Sequence, residues 1–344
     1  MLHTLDPIAF TIPGIGLPIR WYGLAYLAGF LIAYALIRRA LTVGRTPLKP
    51  DLAADLIIHI ALGLIIGGRL GYVLFYQPSL LIDFDSQPPF WGPLAINRGG
   101  MASHGGMLGA ILAAWLFARR HNTPILHLLD LVAFAGPPGV LLGRLANYVN
   151  GELYGRECAP NFIFATRFPQ ELLDWAVDPE LYATKLAPLM AKAPDLGETP
   201  LNWAYHAMNR IQQHDPDIIA LIEPALTPRH PSQLYAAALE GLLLFLILAA
   251  AWTKPRKPGL IAGLFCCTYA IVRIIGEFFR MPDTQLLNSE FAATGITRGQ
   301  WLSALLFLLG LFVIHMARKS RQEPLGSWIP SAREPGRANP SSAE

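Results

Sequence analysis

Long apolar segments constrain this chain more than any other feature of its sequence. Seven segments approach the roughly 20 residues that a helix needs to cross a bilayer. They lie at 21–37, 54–76, 100–118, 125–149, 233–252, 259–279 and 299–317. The composition agrees, because 53% of the 344 residues are hydrophobic and only 15% are charged. The sequence therefore predicts an all-α polytopic membrane bundle with about seven spans.

The positions of lysine and arginine predict the orientation of the spans. Basic residues concentrate in the loops after spans one, three and five and in the tail after span seven, and such loops stay in the cytoplasm. These residues are Arg38, Arg39, Arg45, Lys49, Arg119, Arg120, Lys254, Arg256, Lys257, Arg318, Lys319 and Arg321. The first span ends in arginines rather than at a cleavage site, so we expect it to be retained. The N-terminus is therefore expected outside and the C-terminus in the cytoplasm.

Three regions follow from composition along the chain. Residues 1–322 form the seven-span domain, and residues 157–229 form an external insertion within it, long enough for a small helical head. Residues 323–344 are rich in Pro, Ser, Arg and Glu, which predicts a disordered cytoplasmic tail. The net charge is +3, and the sequence shows no stripe of basic residues with interleaved aromatics. No nucleic-acid partner is therefore expected. The three cysteines lack metal-ligand spacing, so no metal or cofactor is predicted, and Cys158 is interpreted as a bystander.

Polar residues inside the spans indicate where a site lies. A charge at mid-bilayer costs at least a few kcal/mol, and it usually faces the bundle interior or a wet cavity. Span two contains Arg69 beside Gly63, Gly67 and Gly71, and this glycine spacing predicts close packing with another helix. For Arg69 three readings stay open, namely snorkelling to the interface, an internal ion pair, or a site.

Span four combines a predicted break with a polar face. The sequence GPPG at 136–139 removes two backbone donors, which predicts a broken helix inside the membrane. Beyond it, Arg144, Asn147 and Gly151 recur on one helical face, and Glu152 and Arg156 follow. A buried polar network that only joins helices is the alternative to a binding site.

Span six supplies a second arginine. Arg273 and Glu277 are four residues apart, with Arg280 three residues further on. We expect Arg280 to take the Glu277 carboxylate, which would leave Arg273 free to bind an anion. Arg144 and Arg273 on separate spans would then clamp one phosphate. This pattern favours recognition of a lipid headgroup over transport.

Five motifs carry a resemblance to a known family. They are WYGLAY at 21–26, HGG at 104–106, GRLANYVNGELYGR at 143–156, HPSQLY at 230–235 and RIIGEFFRMPD at 273–283. In this order, over nearly all seven spans, they resemble the motifs of prolipoprotein diacylglyceryl transferases. The resemblance implies transfer of diacylglyceryl from phosphatidylglycerol to the lipobox cysteine of a precursor bearing a signal peptide, with release of glycerol phosphate. It also implies a multi-pass protein among membrane lipids of the bacterial inner membrane, with its site toward the outer leaflet.

That reaction needs a base, because a thiol attacks as its thiolate. We assign the base to His104, since histidine titrates nearest neutrality, and expect its flanking glycines to let lipid or peptide reach the ring. Glu152 and Glu277 are alternative bases. A histidine that is hydrogen-bonded for structure remains the alternative reading of His104.

The remaining roles follow from the leaving phosphate. Arg144 and Arg273 are assigned to it, because negative charge grows there as the bond to carbon breaks. Asn147 and Glu152 are expected to bind the headgroup. Tyr26 and Tyr269 are expected to orient polar groups, and Gly155 is expected to permit close backbone approach. Arg280 is also assigned to the headgroup. The alternative is that Arg280 and Glu240 simply tie helices together. His230 is read equally as a cap or interfacial residue and as a ligand.

A phospholipid-binding transporter or flippase is the alternative function. Such a protein would use the arginine clamp without needing His104. Transporters more often show an internal repeat with matched broken spans, whereas the sequence predicts a single strong break.

Overall fold

The computed structural model describes residues 1–86, 88–96, 99–281 and 297–330, with only the backbone of Ser103 and Arg298. Arg98, the Pro282–Asp283 end of the last motif, and residues 331–344 of the expected tail lie outside this part of the chain. The chain forms two compact units. Unit one comprises Met1–Gly29, Pro137–Phe245 and Cys266–Leu308, and unit two comprises Phe30–Gly136, Leu246–Phe265 and Leu309–Glu344.

The described residues are mostly helical, as the sequence predicts. In chain order the helices are α1 (Trp21–Val43), α2 (Leu52–Phe75), α3 (Ser103–Arg120), α4 (Ile125–Asn150), α5 (Glu171–Val177), α6 (Pro179–Leu181), α7 (Ala187–Met190), α8 (Pro200–Gln212), α9 (Pro216–Ile222), α10 (Ser232–Ala251), α11 (Leu260–Glu277) and α12 (Arg298–Lys319). A π-helical stretch, Tyr182–Leu186, joins α6 to α7, and a second, Ala237–Leu243, lies within α10. Short 3-10 turns occur at Pro78–Ile82, Gly92–Leu94, Pro194–Leu196 and Glu223–Ala225.

Two short antiparallel ladders complete the secondary structure. Strand β1 (Ile8–Thr11) pairs with β2 (Pro18–Arg20) just before α1. Strand β3 (Thr166–Arg167) pairs with β4 (Pro228–Arg229), so the two ends of the predicted head insertion meet.

Among the described helices, six are long and apolar enough to cross a membrane: α1, α2, α4, α10, α11 and α12. The protein is therefore a polytopic helical membrane protein. Helix α3 occupies the predicted third span but is not one of the six, because His104 in its first turn and Arg119 and Arg120 at its end make it less apolar. The count of seven spans and the orientation of the bundle stay predictions.

The expected break in span four is wrong. Helix α4 runs from Ile125 to Asn150 with Pro137 and Pro138 inside it. Proline fixes φ near the helical value, so two adjacent prolines remove two hydrogen bonds without forcing the chain out of the helix. Unwinding in hydrocarbon would leave further backbone groups unpaired, which favours the continuous helix.

The glycine spacing of α2 predicts close helix packing, and the structure confirms it. A Cβ built on Gly67 would lie 2.8 Å from Gly109 Cα, and one on Gly71 would lie 2.9 Å from Gly105 Cα. The backbones of α2 and α3 therefore touch through glycines on both helices. Gly105, directly after His104, belongs to this contact, while the access role expected for the glycines that flank His104 stays a prediction.

The insertion at 157–229 folds around its own apolar core. Leu172, Trp175, Trp203, Ile211 and Ile222 are each no more than 2% exposed. The amphipathic helix α8 supplies Trp203 and Ile211, and Thr199 caps its first turn through a hydrogen bond to Asn202 N. A small helical head needs such a core of its own. The exact limits of the domains stay a prediction.

The chain after α12 is packed within unit two up to Pro330. Leu325 and Arg256 exchange backbone hydrogen bonds of 3.0 and 2.7 Å. Trp328 Nε1 donates to Ala249 O at 2.8 Å, and Ser327 is 1% exposed. The packed chain therefore extends beyond residue 323, where composition alone predicts that disorder begins.

Candidate active site

A buried carboxylate lies at the centre of the candidate site. Glu240 is 1% exposed and belongs to the π-helical stretch of α10, a geometry that often occurs at functional sites. Its neighbour Gly241 lies against Leu141 of α4, where an added Cβ would come within 2.6 Å of Leu141 Cα. Because α10 and α4 approach so closely here, Glu240 is within reach of the polar face of α4.

Two arginines from different helices share this carboxylate. Arg144 of α4 donates to Glu240 Oε2 from Nη2 at 2.8 Å and from Nε at 3.2 Å. Arg273 of α11 donates from Nη1 to Glu240 Oε1 at 3.2 Å. The structure therefore brings together the two residues that form the predicted clamp, and a glutamate given only a secondary role joins them.

The expectation that Arg273 stays free of carboxylates is wrong. Arg273 Nη2 lies 3.2 Å from Glu277 Oε2, one helical turn along α11, while Nη1 binds Glu240. Both carboxylates are buried, and a buried charge left without a partner is costly, so Arg273 serves both. An anion would therefore be bound by an arginine already tied to two carboxylates.

A cleft opens beside this cluster. It has a volume of about 320 Å³, open solvent included. Its walls are Arg144, Leu153, Ser232, Gln233, Ala236, Glu240, Arg273, Gly276 and Arg280. The walls carry the guanidinium groups of three arginines, whose N–H donors suit an anion such as a phosphate.

The segment that follows α4 forms one edge of the cleft. Helix α4 ends at Asn150, and Gly151 adopts a φ of +70°, the left-handed conformation that commonly terminates helices. Asn147 then donates from Nδ2 to Glu152 Oε1 at 2.7 Å. Asn147 is buried and Glu152 is exposed, so this hydrogen bond links the polar face of α4 to the protein surface.

The HPSQLY motif holds that segment in place. Gln233 Nε2 donates to Glu152 O at 2.6 Å, and Ser232 Oγ donates to Leu153 O at 2.9 Å. Gly155 N donates to His230 O at 2.9 Å, and a Cβ on Gly155 would lie 2.5 Å from Phe279 O. The close backbone approach expected at Gly155 is thus made by the chain itself.

Comparison with known proteins places this chain in a family. The profile of the prolipoprotein diacylglyceryl transferase family matches residues 7–316. The chain belongs to this family. It is 43% identical to the phosphatidylglycerol–prolipoprotein diacylglyceryl transferase of Bdellovibrio bacteriovorus, over 95% of this chain and 97% of that protein. Transferases of the same name from Ruegeria pomeroyi and Neisseria gonorrhoeae are 38% and 37% identical, over 91% and 90% of this chain and 96% and 94% of theirs.

The other residues assigned from the transferase resemblance have mixed surroundings. Tyr26 is exposed on α1 with its ring centroid 5.1 Å from that of Tyr22, and Tyr269 is half-buried on α11. His104 is exposed in the first turn of α3 and belongs to unit two, whereas the arginine cluster belongs to unit one. His230 Nδ1 lies 3.2 Å from the Tyr235 hydroxyl, and its ring packs on Phe279.

Arg69 is too buried to be a snorkelling residue, and it forms no ion pair with the described residues. It is 5% exposed, and its guanidinium donates to four backbone carbonyls at 2.6 to 2.9 Å. The acceptors are those of Gly92, Pro93, Gly99 and Gly100. Arg69 therefore fixes the chain that leads into α3 of this transferase family member. The sequence singles out Arg69 as a charge inside a span. It does not reveal the hydrogen-bond acceptors of Arg69, because these are backbone atoms.

Sequence reasoning missed a second buried ion pair. Arg229 (8% exposed) donates from Nε to Glu171 Oε1, and Thr227 N donates to Glu171 Oε2 at 3.0 Å. The guanidinium carbon also lies 5.0 Å from the centre of the Tyr154 ring. Arg229 directly precedes HPSQLY, so this pair anchors the motif to α5 of the head.

Tyr154 and Cys158, which lie outside the spans, have perturbed acidity. Burial raises the pKa of the Tyr154 hydroxyl, and its hydrogen bond to the Asp174 carboxylate acts in the same direction. Burial also raises the pKa of the Cys158 thiol. A raised pKa keeps that thiol protonated at neutral pH and therefore unreactive. This fits the interpretation of Cys158 as a bystander.

Proposed function

We propose that this protein transfers the diacylglyceryl group of phosphatidylglycerol to the thiol of the lipobox cysteine in a prolipoprotein, releasing glycerol phosphate. Membership of the family, with relatives of that name over nearly the whole chain, supports the reaction. The observation that carries it here is the pair of arginines on Glu240 beside an open cleft.

The chemistry is a substitution at carbon. The cysteine sulfur attacks the diacylglycerol carbon that bears the phosphate, a carbon–sulfur bond forms, and the carbon–oxygen bond breaks. The electron pair of the broken bond stays on the phosphate oxygen, and the thiol proton passes to a base. The transition state therefore gathers negative charge on the phosphate, where preorganised donors stabilise it most effectively.

Arg144 and Arg273 are the residues we assign to that phosphate, with Arg280 beside them in the cleft. Each guanidinium has five N–H donors. Arg144 directs two of its nitrogens at Glu240, so it can bind the carboxylate and a phosphate together. Glu240 then acts as a positioning residue, because it holds two cations side by side that would otherwise repel each other.

The surrounding polar groups are assigned to the rest of the headgroup. Asn147 lies in the last turn of α4, and Glu152 and Gly155 lie in the segment that follows it at the cleft edge. Tyr269 and Tyr26 are assigned to orienting polar groups. In this proposal the site opens toward the outer leaflet of the bacterial inner membrane. A secreted precursor presents its cysteine there once its apolar helix has entered the bilayer.

His104 is the base in this proposal, and its exposed ring is accessible to a substrate proton. Glu277 is a weaker candidate, because it is buried and already paired with Arg273. Glu152 is exposed but accepts a hydrogen bond from Asn147. Replacing His104 by Ala should abolish transfer and leave binding of phosphatidylglycerol intact. A variant with unchanged transfer would move the role to Glu152.

The reaction is tested with purified protein in detergent, phosphatidylglycerol and a synthetic lipobox peptide. We expect the peptide mass to increase by one diacylglyceryl group, and we expect no increase when its cysteine is serine. Lipid binding without any mass increase on the cysteine peptide would refute the transferase proposal. That outcome would favour a phospholipid-binding transporter or flippase.

A further inference from the structure

We propose that Arg156 is a positioning residue, which holds Arg280 where it meets the phosphate of the donor lipid. This inference rests on the proposed function, since it assigns that phosphate to the cleft beside Glu240. Arg156 is the last residue of GRLANYVNGELYGR, and the sequence assigns no role to it.

Arg280 lies beyond the end of the helix that carries Arg273. Helix α11 ends at Glu277, three residues before Arg280. Arg144 and Arg273, by contrast, lie within α4 and α11, where the hydrogen bonds of the helix fix the backbone. The position of Arg280 therefore depends on contacts with another part of the chain.

Arg156 supplies such contacts. Its backbone N donates to Phe279 O at 2.9 Å, and its side-chain Nε donates to Arg280 O, also at 2.9 Å. Gly155 forms an antiparallel bridge with Arg280. One residue thus binds two consecutive carbonyls after α11, and a substitution of its side chain removes only the hydrogen bond to Arg280 O.

The other edge of this segment is bound to HPSQLY. His230 N donates to Arg156 O at 3.0 Å, and Gly155 N donates to His230 O at 2.9 Å. HPSQLY leads directly into α10, which carries Glu240. Arg156 therefore ties the backbone of Arg280 to the helix that holds the central carboxylate of the site.

The charge of Arg280 acts at the same place as the other two arginines. Arg280 lines the cleft with Arg144 and Arg273, and the charges of all three act on the Tyr269 hydroxyl. Displacing a group that meets the reacting phosphate by about 1 Å can slow a reaction about a hundred-fold. Loosening the backbone of Arg280 should therefore slow transfer, although no residue that touches the lipid has been changed.

The test uses two substitutions of Arg156 that differ at the position of Nε. In Arg156→Met a methyl group takes that position, and in Arg156→Gln an amide nitrogen, which is a donor, takes it. We expect Arg156→Met to lower kcat/KM for phosphatidylglycerol about ten-fold in the peptide assay, because Arg280 O loses its donor. We expect Arg156→Gln to stay within about two-fold of the wild type. Equal losses would assign the effect to the charge of Arg156 and overturn the inference.

Arg280→Gln separates positioning from a general effect on the fold. It should itself lower kcat/KM, and adding Arg156→Met to it should cause no further loss, because Arg156 acts through Arg280. The inference is overturned if Arg280→Gln is as active as the wild type, or if Arg156→Met lowers kcat/KM by the same factor in both backgrounds. It is also overturned if Arg156→Met keeps wild-type activity or fails to fold, since the hydrogen bond would then serve no purpose or only stability.

A wild-type protein that transfers no lipid would refute the proposed function instead. The same variants would then be compared by equilibrium binding of phosphatidylglycerol. Weaker binding by Arg156→Met than by Arg156→Gln would support the positioning role, and equal affinities would overturn it.

Discussion

At the scale of single residues, the cluster around Glu240 is a network in which each charge depends on its neighbours. Arg144 and Arg273 occupy the two carboxylate oxygens, and Arg273 also binds Glu277. Removing one member of a buried network leaves uncompensated charge in a medium that solvates it poorly. Stability and activity are therefore expected to be coupled at this site.

Glu240→Gln tests that coupling. It keeps the shape of the side chain but removes the charge between two guanidiniums, so we expect the free energy of unfolding to fall by about 3 kcal/mol. Glu323→Gln is the control, because Glu323 pairs with Arg45 while 75% exposed, and its loss should change stability by less than about 1 kcal/mol. Unfolding in detergent, followed by circular dichroism, measures both. Equal effects would contradict the coupling.

The sequence predicts which residues belong to the site better than it predicts which of them pair with each other. The sequence shows that Arg144 and Arg273 are charges inside apolar spans, and the cost of such charges indicates that they gather in the bundle interior. It does not show which carboxylate each reaches, because that depends on the separation of α4, α10 and α11. Glu240 was therefore underestimated, and Arg273 was expected to be free of carboxylates.

At the scale of elements, hydrophobic periodicity and glycine spacing predict much of where the helices lie and how they pack. The predicted segments overlap all seven long helices of the described part of the chain, and the glycine faces of α2 and α3 pack as the spacing indicates. Backbone irregularities were less accessible to sequence reasoning. The prolines of α4 do not break it, and the π-helical stretch that contains Glu240 leaves no mark on the hydrophobic pattern.

Gly109→Ala tests the contact of α2 with α3. A Cβ on Gly109 would overlap the backbone of α2, with Gly67 Cα at 2.9 Å, so we expect a clearly lower melting temperature. Gly23→Ala in α1 is the control, because nothing lies within 4 Å of its Cβ position and alanine favours helix. Melting temperatures in one detergent compare the two. An unchanged value for Gly109→Ala would contradict the packing account.

At the scale of the whole molecule, composition predicts the class of the protein but not where its packed part ends. Hydrophobic content and apolar segments suffice for a polytopic helical protein, and long specific motifs suffice for the family. The segment after α12 is polar and proline-rich, which is why disorder was expected from residue 323. Its order depends on specific partners such as Arg256 and Ala249.

Two truncations test this boundary. Ending the chain after Pro330 keeps the packed residues 323–330, so we expect an unchanged melting temperature. Ending it after Gln322 also removes Leu325 and Trp328, which bind Arg256 and Ala249, so we expect a lower melting temperature. If both truncated proteins melt like the full chain, residues 323–330 contribute nothing to stability.

The measurement that tests the central claim most directly is the rate of peptide lipidation by Arg144→Ala. Removing a donor that stabilises transition-state charge should reduce the rate by about a hundred-fold or more. Arg210→Ala is the control, because Arg210 is exposed on α8 and pairs with Asp215 five residues away, and its rate should equal that of the wild type. Circular dichroism and melting temperature establish that both variants are folded. A folded Arg144→Ala protein that lipidates the peptide at the wild-type rate would contradict the assignment of the phosphate to this cluster.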